Sequence, residues 1–196
     1  VECIILGEGM TSRDIKREDT DRGKLEELHS DTLKAAQIIG FNKVYFSNLP
    51  DNRFDSVDLL DVTKEVEKYI EKIKPDIVYK HHYGDLNIDH RITFQAVITA
   101  CRPVGDYTVK EIYCFETPSS TEWNFKYGED TFKPNVFIDI EDTLECKLKA
   151  MECYRTELRE YPHPRSIEAL KTIAAKWGTV VGRKYVEAFE LIRKVD

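Results

Sequence analysis

The stretch His81-His82-Tyr83-Gly84-Asp85-Leu86-Asn87-Ile88-Asp89-His90 holds three of the five histidines of the chain, with two carboxylates and an amide. Imidazole beside carboxylate suits zinc or another transition metal. The Asp85-x-Asn87-x-Asp89 spacing has the look of a calcium loop. However, His90 stands where that loop needs glycine, and Ala96 where it needs a bidentate glutamate, which disfavours calcium. His90 opens a predicted helix, with Asp89 as its expected N-cap. A metal-bound imidazole also needs an acceptor on its second nitrogen, and the nearby carboxylates can serve. The bland alternative is a polar loop whose histidines satisfy local backbone groups. Three histidines at one strand end favour the functional reading. No other segment offers a convincing second and third metal ligand, since His29 falls mid-helix.

Other segments are more ambiguous. Gly7-Glu8-Gly9-Met10-Thr11-Ser12 follows a strand and looks like the start of a dinucleotide fingerprint. Ser12 replaces the third glycine, Glu8 would repel a pyrophosphate, and Arg13 to Arg22 is too polar to open a packed helix. Arg53, between Asp51 and Asp55, can bind a sugar hydroxyl or phosphate, or can simply belong to a Pro-Asp-Asn turn. Tyr161-Pro162-His163-Pro164-Arg165-Ser166 reads first as a stiff linker, although His163 and Arg165 can also reach a site. Gly178-x-x-x-Gly182 reads as a close-packing pair within a helix.

These residues hang on a frame whose apolar period switches repeatedly between strand and helix. Strands are predicted at 1–6, 43–47, 76–80, 111–116 and 136–140. Helices are predicted over Lys24–Ile39, with Leu25, Leu28, Thr32, Ala35, Ala36 and Ile39 inward, and over Asp61–Lys74, with Val62, Val66, Tyr69, Ile70 and Ile73 inward. A third runs over Asp89–Arg102, and a fourth, capped by Asp142 or Thr143, through Leu144, Leu148, Met151 and Tyr154. The last is capped by Ser166 and carried on through Trp177, Val181, Tyr185, Phe189 and Ile192. The alternation implies one α/β domain over residues 1–196, with a mostly parallel sheet covered by helices on both faces. Ligands bind beyond the carboxyl ends of such strands, which selects Gly7–Arg13, Asn48–Asp55, His81–His90 and Glu116–Glu122. The loop Thr117–Pro134, with Trp123, Phe125 and Tyr127, reads as a lid or packing arm.

At 196 residues and a net charge of −7, the chain is long enough for a real core and too acidic for general nucleic-acid binding. No apolar run is long enough to span a membrane. The five cysteines lack paired spacing and read as free core thiols of a reducing cytoplasm. The chain starts at Val1, inside an apolar strand and without Met, so native sequence is expected upstream.

Gly84-Asp85-Leu86-Asn87-Ile88-Asp89-His90-Arg91 resembles the second motif of the PIG-L/LmbE-like zinc deacetylases. Gly7-Glu8-Gly9 with Thr11 and Arg13, Ala35-Ala36 before Gly40, and Tyr161–Ser166 with Glu187-Ala188-Phe189 extend the resemblance along the chain. It implies a Rossmann-like α/β fold and a metal-dependent hydrolase that removes N-acetyl groups from N-acetylglucosamine-type sugars. His90 would be a zinc ligand and Asp89 the orienting carboxylate. Asn87 stands where the family usually has a histidine, and an amide there can still donate to an oxyanion. Asn87, His82 and Asp85 would line the tetrahedral intermediate or its leaving amine. Arg13, Asp51, Arg53 and Arg165 would hold sugar hydroxyls or an anionic group. The family's His-Pro-Asp-Asp-Glu motif, with two further zinc ligands and the general base, has no counterpart here. The resemblance therefore implies that the first strand, metal motif and first helix lie upstream of Val1, and that the chain alone retains metal weakly and turns over little or not at all. A homo-oligomer is expected from the same resemblance. A nucleotide-binding protein and a non-catalytic carbohydrate-binding module are the rival readings.

Overall fold

The computed structural model describes residues 1–125 and 130–196, so Tyr127 of the long loop lies outside the described residues. In chain order the elements are β1 (Glu2–Gly7), α1 (Arg22–Ile39), β2 (Lys43–Leu49), α2 (Leu59–Ile73), β3 (Ile77–His81), α3 (Ile88–Ala100), β4 (Glu111–Phe115), β5 (Val136–Asp139), α4 (Leu144–Cys153), α5 (Ile167–Val181) and β6 (Val186–Lys194). All five expected strands are present, with ends within two residues of the sequence pattern. The chain forms two compact units, Val1–Asp51 with Ile138–Glu187, and Asn52–Phe137 with Ala188–Asp196. No described helix is long and apolar enough to cross a membrane.

In the first unit β1 pairs in parallel with β2, from Glu2 opposite Lys43 to Gly7 opposite Leu49. The Asp21 carboxylate accepts from the Gly23 N–H to start α1, and Gly40, at φ 87°, ends it. Thr32, Ala35 and Ala36 are buried as the stripe predicts, but Ile39, the last helical residue, is exposed. Helix α4 packs on both α1 and α5. Ile140, Leu144, Leu148, Leu170 and Ala174 form a core there, joined by Met151, Ile167 and Tyr185. Each buried leucine adds about 1.5–3 kcal/mol of apolar burial.

The second unit is built on a sheet in the order β3-β4-β6-β5. Strands β3 and β4 are parallel, while β4 and β6 are antiparallel. The α/β fold is as expected, with its strands arranged among the described residues in two sheets, one parallel and one mixed. Helix α2 turns Val62, Val66, Tyr69 and Ile70 inward as its sequence demands, and packs on α3.

The largest departure is at the end of the chain. The helical pattern through Ile192 stops at Val181, and residues 186–194 form β6. Gly182 takes the left-handed conformation at φ 69°, and both its N–H and that of Arg183 bond back to the Gly178 carbonyl. A Cβ at Gly178 would lie 2.5 Å from the Arg183 carbonyl oxygen and 2.7 Å from that of Lys184. The two glycines therefore end a helix and let the chain fold over its last turn; they do not pack two helices together. Tyr185, Phe189 and Ile192 repeat at a helical spacing, but β6 buries the alternating set Val186, Ala188 and Glu190. Gly178→Ala is expected to lower stability by about 2 kcal/mol in denaturant unfolding, while Val180→Ala on the exposed face changes it by less than about 0.5 kcal/mol.

Candidate active site

Strand β3 ends at His81, and the polar residues around its end divide into two networks. Lys80 is 2% exposed, with Nζ 3.5 Å from Cys114 Sγ and 3.0 Å from the centre of the Phe94 ring. Burial lowers its pKa to about 8. His82 is fully buried, with Nδ1 2.7 Å from Glu190 Oε2 and Nε2 3.0 Å from the Asp130 carbonyl oxygen. Both partners only accept, so the doubly protonated ring satisfies both. Burial opposes that charge, but the bonds to Glu190 and Asp130 outweigh it and raise the pKa. The Lys133 N–H also donates to Glu190. With both nitrogens occupied, His82 fastens segment 130–133 to the sheet.

The second network centres on Asp85, which is fully buried. The Ser120 hydroxyl donates to its Oδ1, the Thr121 hydroxyl to its Oδ2 at 2.7 Å, and the Asn87 N–H to its Oδ1 at 2.9 Å. His90 Nδ1 lies 3.0 Å from Oδ1, a contact too bent to count as an aligned hydrogen bond. Burial works against the charge, but His90, Ser120 and Thr121 outweigh it and hold the pKa at about 2. Asn124 donates from its side chain to the Gly84 carbonyl. Gly84 itself is required: a Cβ there would lie 2.0 Å from the Asp130 carbonyl oxygen.

The N-cap of helix α3 lies two residues ahead of expectation. Its N-cap is Asn87, whose Oδ1 accepts from the Asp89 N–H at 2.8 Å, so Asp89 sits inside the first turn. Asp89 instead accepts from the Asn52 N–H at 2.6 Å and the Phe54 N–H at 3.0 Å, pinning the loop before α2. Arg53 lies between those two donors and heads the short turn Phe54–Ser56. His90 follows in the first turn of α3, partly buried, with its Nδ1 side towards Asp85.

The His81 ring stacks on the His90 ring, with centres 4.0 Å apart and planes 12° apart. Its Nδ1 is buried without a partner. Burial, reinforced by His90, lowers its pKa to about 3, so the ring is neutral. Sequence reading selected His82 and missed His81; strand alternation at the end of β3 was the available signal. Ser120 and Thr121 were missed too, although the Glu116–Glu122 segment had been singled out.

In the first unit, Arg13 and Arg165 meet at opposite oxygens of Glu157. The Ser12 N–H and hydroxyl both donate to Asp51. No helix follows Gly9: a short turn spans Thr11–Arg13 and α1 begins only at Arg22, so a dinucleotide fingerprint is not formed. Glu8 is engaged by Thr11 and Arg17. His29 stacks on Phe46 as a packing residue. All five cysteines are free, but only Cys101 and Cys114 are buried.

No three His, Cys, Asp or Glu side chains among the described residues are grouped to hold a metal. His90, with Nδ1 against Asp85, leaves Nε2 as one ligand nitrogen. These residues therefore fit one coordination position and do not make a metal centre.

The chain matches the family model described as PIG-L, GlcNAc-PI de-N-acetylase, over residues 1–101. It is 26% identical over 197 residues to the diacetylchitobiose deacetylase of Thermococcus kodakarensis, covering 94% of this chain and 68% of that protein. Its fold is similar to N,N'-diacetylchitobiose deacetylase from Pyrococcus horikoshii in complex with an inhibitor, at a TM-score of 0.69 and 22% identity over 97% of this chain and 71% of that one. It is equally similar to GalB, the 4-carboxy-2-hydroxymuconate hydratase of Pseudomonas putida, with a TM-score of 0.69 and 18% identity over 100% and 85% of the two chains. Structural likeness at this identity establishes the α/β fold and leaves the reaction to the site.

The His82–Glu190 pair has a signed pH dependence. A histidine whose pKa is raised on folding stabilises fully below its unfolded value of about 6.5, and this is lost as pH rises through the folded value. The unfolding midpoint should therefore fall as pH rises above about 6.5. Glu190→Gln should flatten that slope; an unchanged slope contradicts the pairing.

Proposed function

Since this chain belongs to the PIG-L, GlcNAc-PI de-N-acetylase, family, we propose that the protein hydrolyses the N-acetyl group of an amino sugar or its conjugate. One observation carries the reading: His90 is held between the Asp85 carboxylate and the His81 ring, with Nε2 left as its ligand nitrogen. The curated deacetylase it resembles supports the substrate class. Dependence on a divalent metal, zinc by choice, is part of the proposal. It rests on the family and on His90, and the residues described here supply one ligand.

The roles proposed for the chain's own residues follow their positions. Asp85 orients His90. Asn87 commits its Oδ1 to the helix cap and keeps its amide nitrogen for an oxyanion. Asp89 holds the Asn52–Phe54 backbone in place. Arg13, Asp51, Arg53 and Arg165 are assigned to sugar hydroxyls or an anionic substituent; in the first unit Glu157 and Ser12 fix the rest positions of three of them. His82 is reassigned from the chemistry to holding segment 130–133. The nucleotide-binding alternative loses its support with the missing helix after Gly9.

The test is incubation of the full-length, metal-supplied protein with N,N'-diacetylchitobiose, measuring acetate and free amine together. Equal amounts of both are expected, with His90→Ala lowering the rate at least about 100-fold and Asn87→Ala about 10- to 1000-fold. Residues 1–196 alone are expected to retain metal weakly and to release little or no acetate. Folded, full-length, metal-supplied protein that releases no acetate from any N-acetylglucosaminyl compound contradicts the proposal; sugar binding without release favours a carbohydrate-binding module.

A further inference from the structure

Asp85 receives its two hydroxyl donors from a segment distant in sequence, the turn that follows β4. That turn is fixed by its own bonds: the Ser120 and Thr121 N–H groups donate to the Thr117 carbonyl at 3.1 and 3.0 Å. The Ser119 N–H donates to Glu122 at 2.6 Å. Thr121 Oγ1 accepts from the Thr117 N–H at 2.7 Å, so its one proton is left for Asp85 Oδ2. Ser120 and Thr121 are 8% and 9% exposed, and Asp85 is wholly buried, so water does not replace these donors.

We propose that Ser120 and Thr121 are positioning residues for His90, acting through Asp85. With a donor on each oxygen, the carboxylate cannot turn about its own axis without breaking a bond. Its Oδ1 is therefore held against His90 Nδ1 at 3.0 Å. On this proposal the nearby carboxylate, though approached at a bent angle, favours the His90 proton on Nδ1 and leaves Nε2 as the lone pair. Oδ1 already accepts from Ser120 and from the Asn87 N–H, which accounts for the bent approach of His90. The turn after β4 thus shapes the imidazole on α3 without touching it, and its bonds to one another and to Asp85 are the path. The inference takes from the proposed function only that His90 is the working imidazole.

The test is nitrogen-15 NMR of the histidine rings in the metal-free protein, on wild type and on the Ser120→Ala, Thr121→Val double variant. In wild type the Nδ1–H tautomer of His90 should be the major form; in the double variant it should become the minor one, and Ser120→Thr with Thr121→Ser should restore it. In acetate release the double variant should lose about 10- to 100-fold in kcat with KM unchanged. A folded double variant with the His90 tautomer unchanged overturns the proposal. Should the double variant not fold, Thr121→Val alone is read by the same criterion. A full-length, metal-supplied wild type that releases no acetate counts against the deacetylase reading, while the tautomer measurement still decides this one.

Discussion

Burying a carboxylate in a protein interior costs on the order of several kcal/mol unless its oxygens are satisfied. Asp85 has no exposed surface and a pKa of about 2, so it is charged at neutral pH in a site that water does not reach. Two hydroxyls, one backbone N–H and the edge of an imidazole meet that demand. Satisfying it ties together the end of β3, the start of α3 and the turn after β4. The same demand fixes Gly84, where no side chain fits beside Asp130, and draws Asn124 onto the Gly84 carbonyl. His90 is placed as a consequence of how Asp85 is neutralised.

A second buried network uses similar groups for another end. Lys80, Glu190 and His82 lie in the core of the same unit, and each has a partner. The perturbed titration of Lys80 and His82 does not mark catalysis, since structural ion networks shift pKa values just as strongly. What separates the two networks is access. His82 spends both nitrogens inside the fold, whereas His90, whose side chain is 19% exposed, spends one side on Asp85 and keeps the other. Two histidines eight residues apart thus serve a strut and a site.

Much of this was legible in the sequence where one period dominated. The stripe on α2 named its buried residues, because Val62, Val66, Tyr69 and Ile70 repeat at helical spacing between polar neighbours. The cluster around His90 was legible from residue type and its place after a strand. The end of the chain was not, because Tyr185, Phe189 and Ile192 repeat at helical spacing although β6 buries the alternate residues Val186, Ala188 and Glu190, and Gly182 was read as packing instead of termination. The choice between His81 and His82 needed the strand's register to one residue, since a shift of one exchanges their faces. Ser120 and Thr121 were beyond reach for a different reason: their partner is 35 and 36 residues away, and a hydroxyl in a loop carries no pattern of its own. Asn87 and Asp89 were both seen, but which of them capped α3 depended on where the first helical residue fell.

The most direct measurement uses a single isosteric change at the centre of the site. Asp85→Asn keeps the shape and removes the charge that four groups converge on. Acetate release from N,N'-diacetylchitobiose by the full-length protein, measured on a variant whose folding is confirmed by its unfolding midpoint, should fall about 10- to 100-fold. A folded Asp85→Asn protein as active as wild type would contradict the claim that this buried carboxylate positions the reactive imidazole.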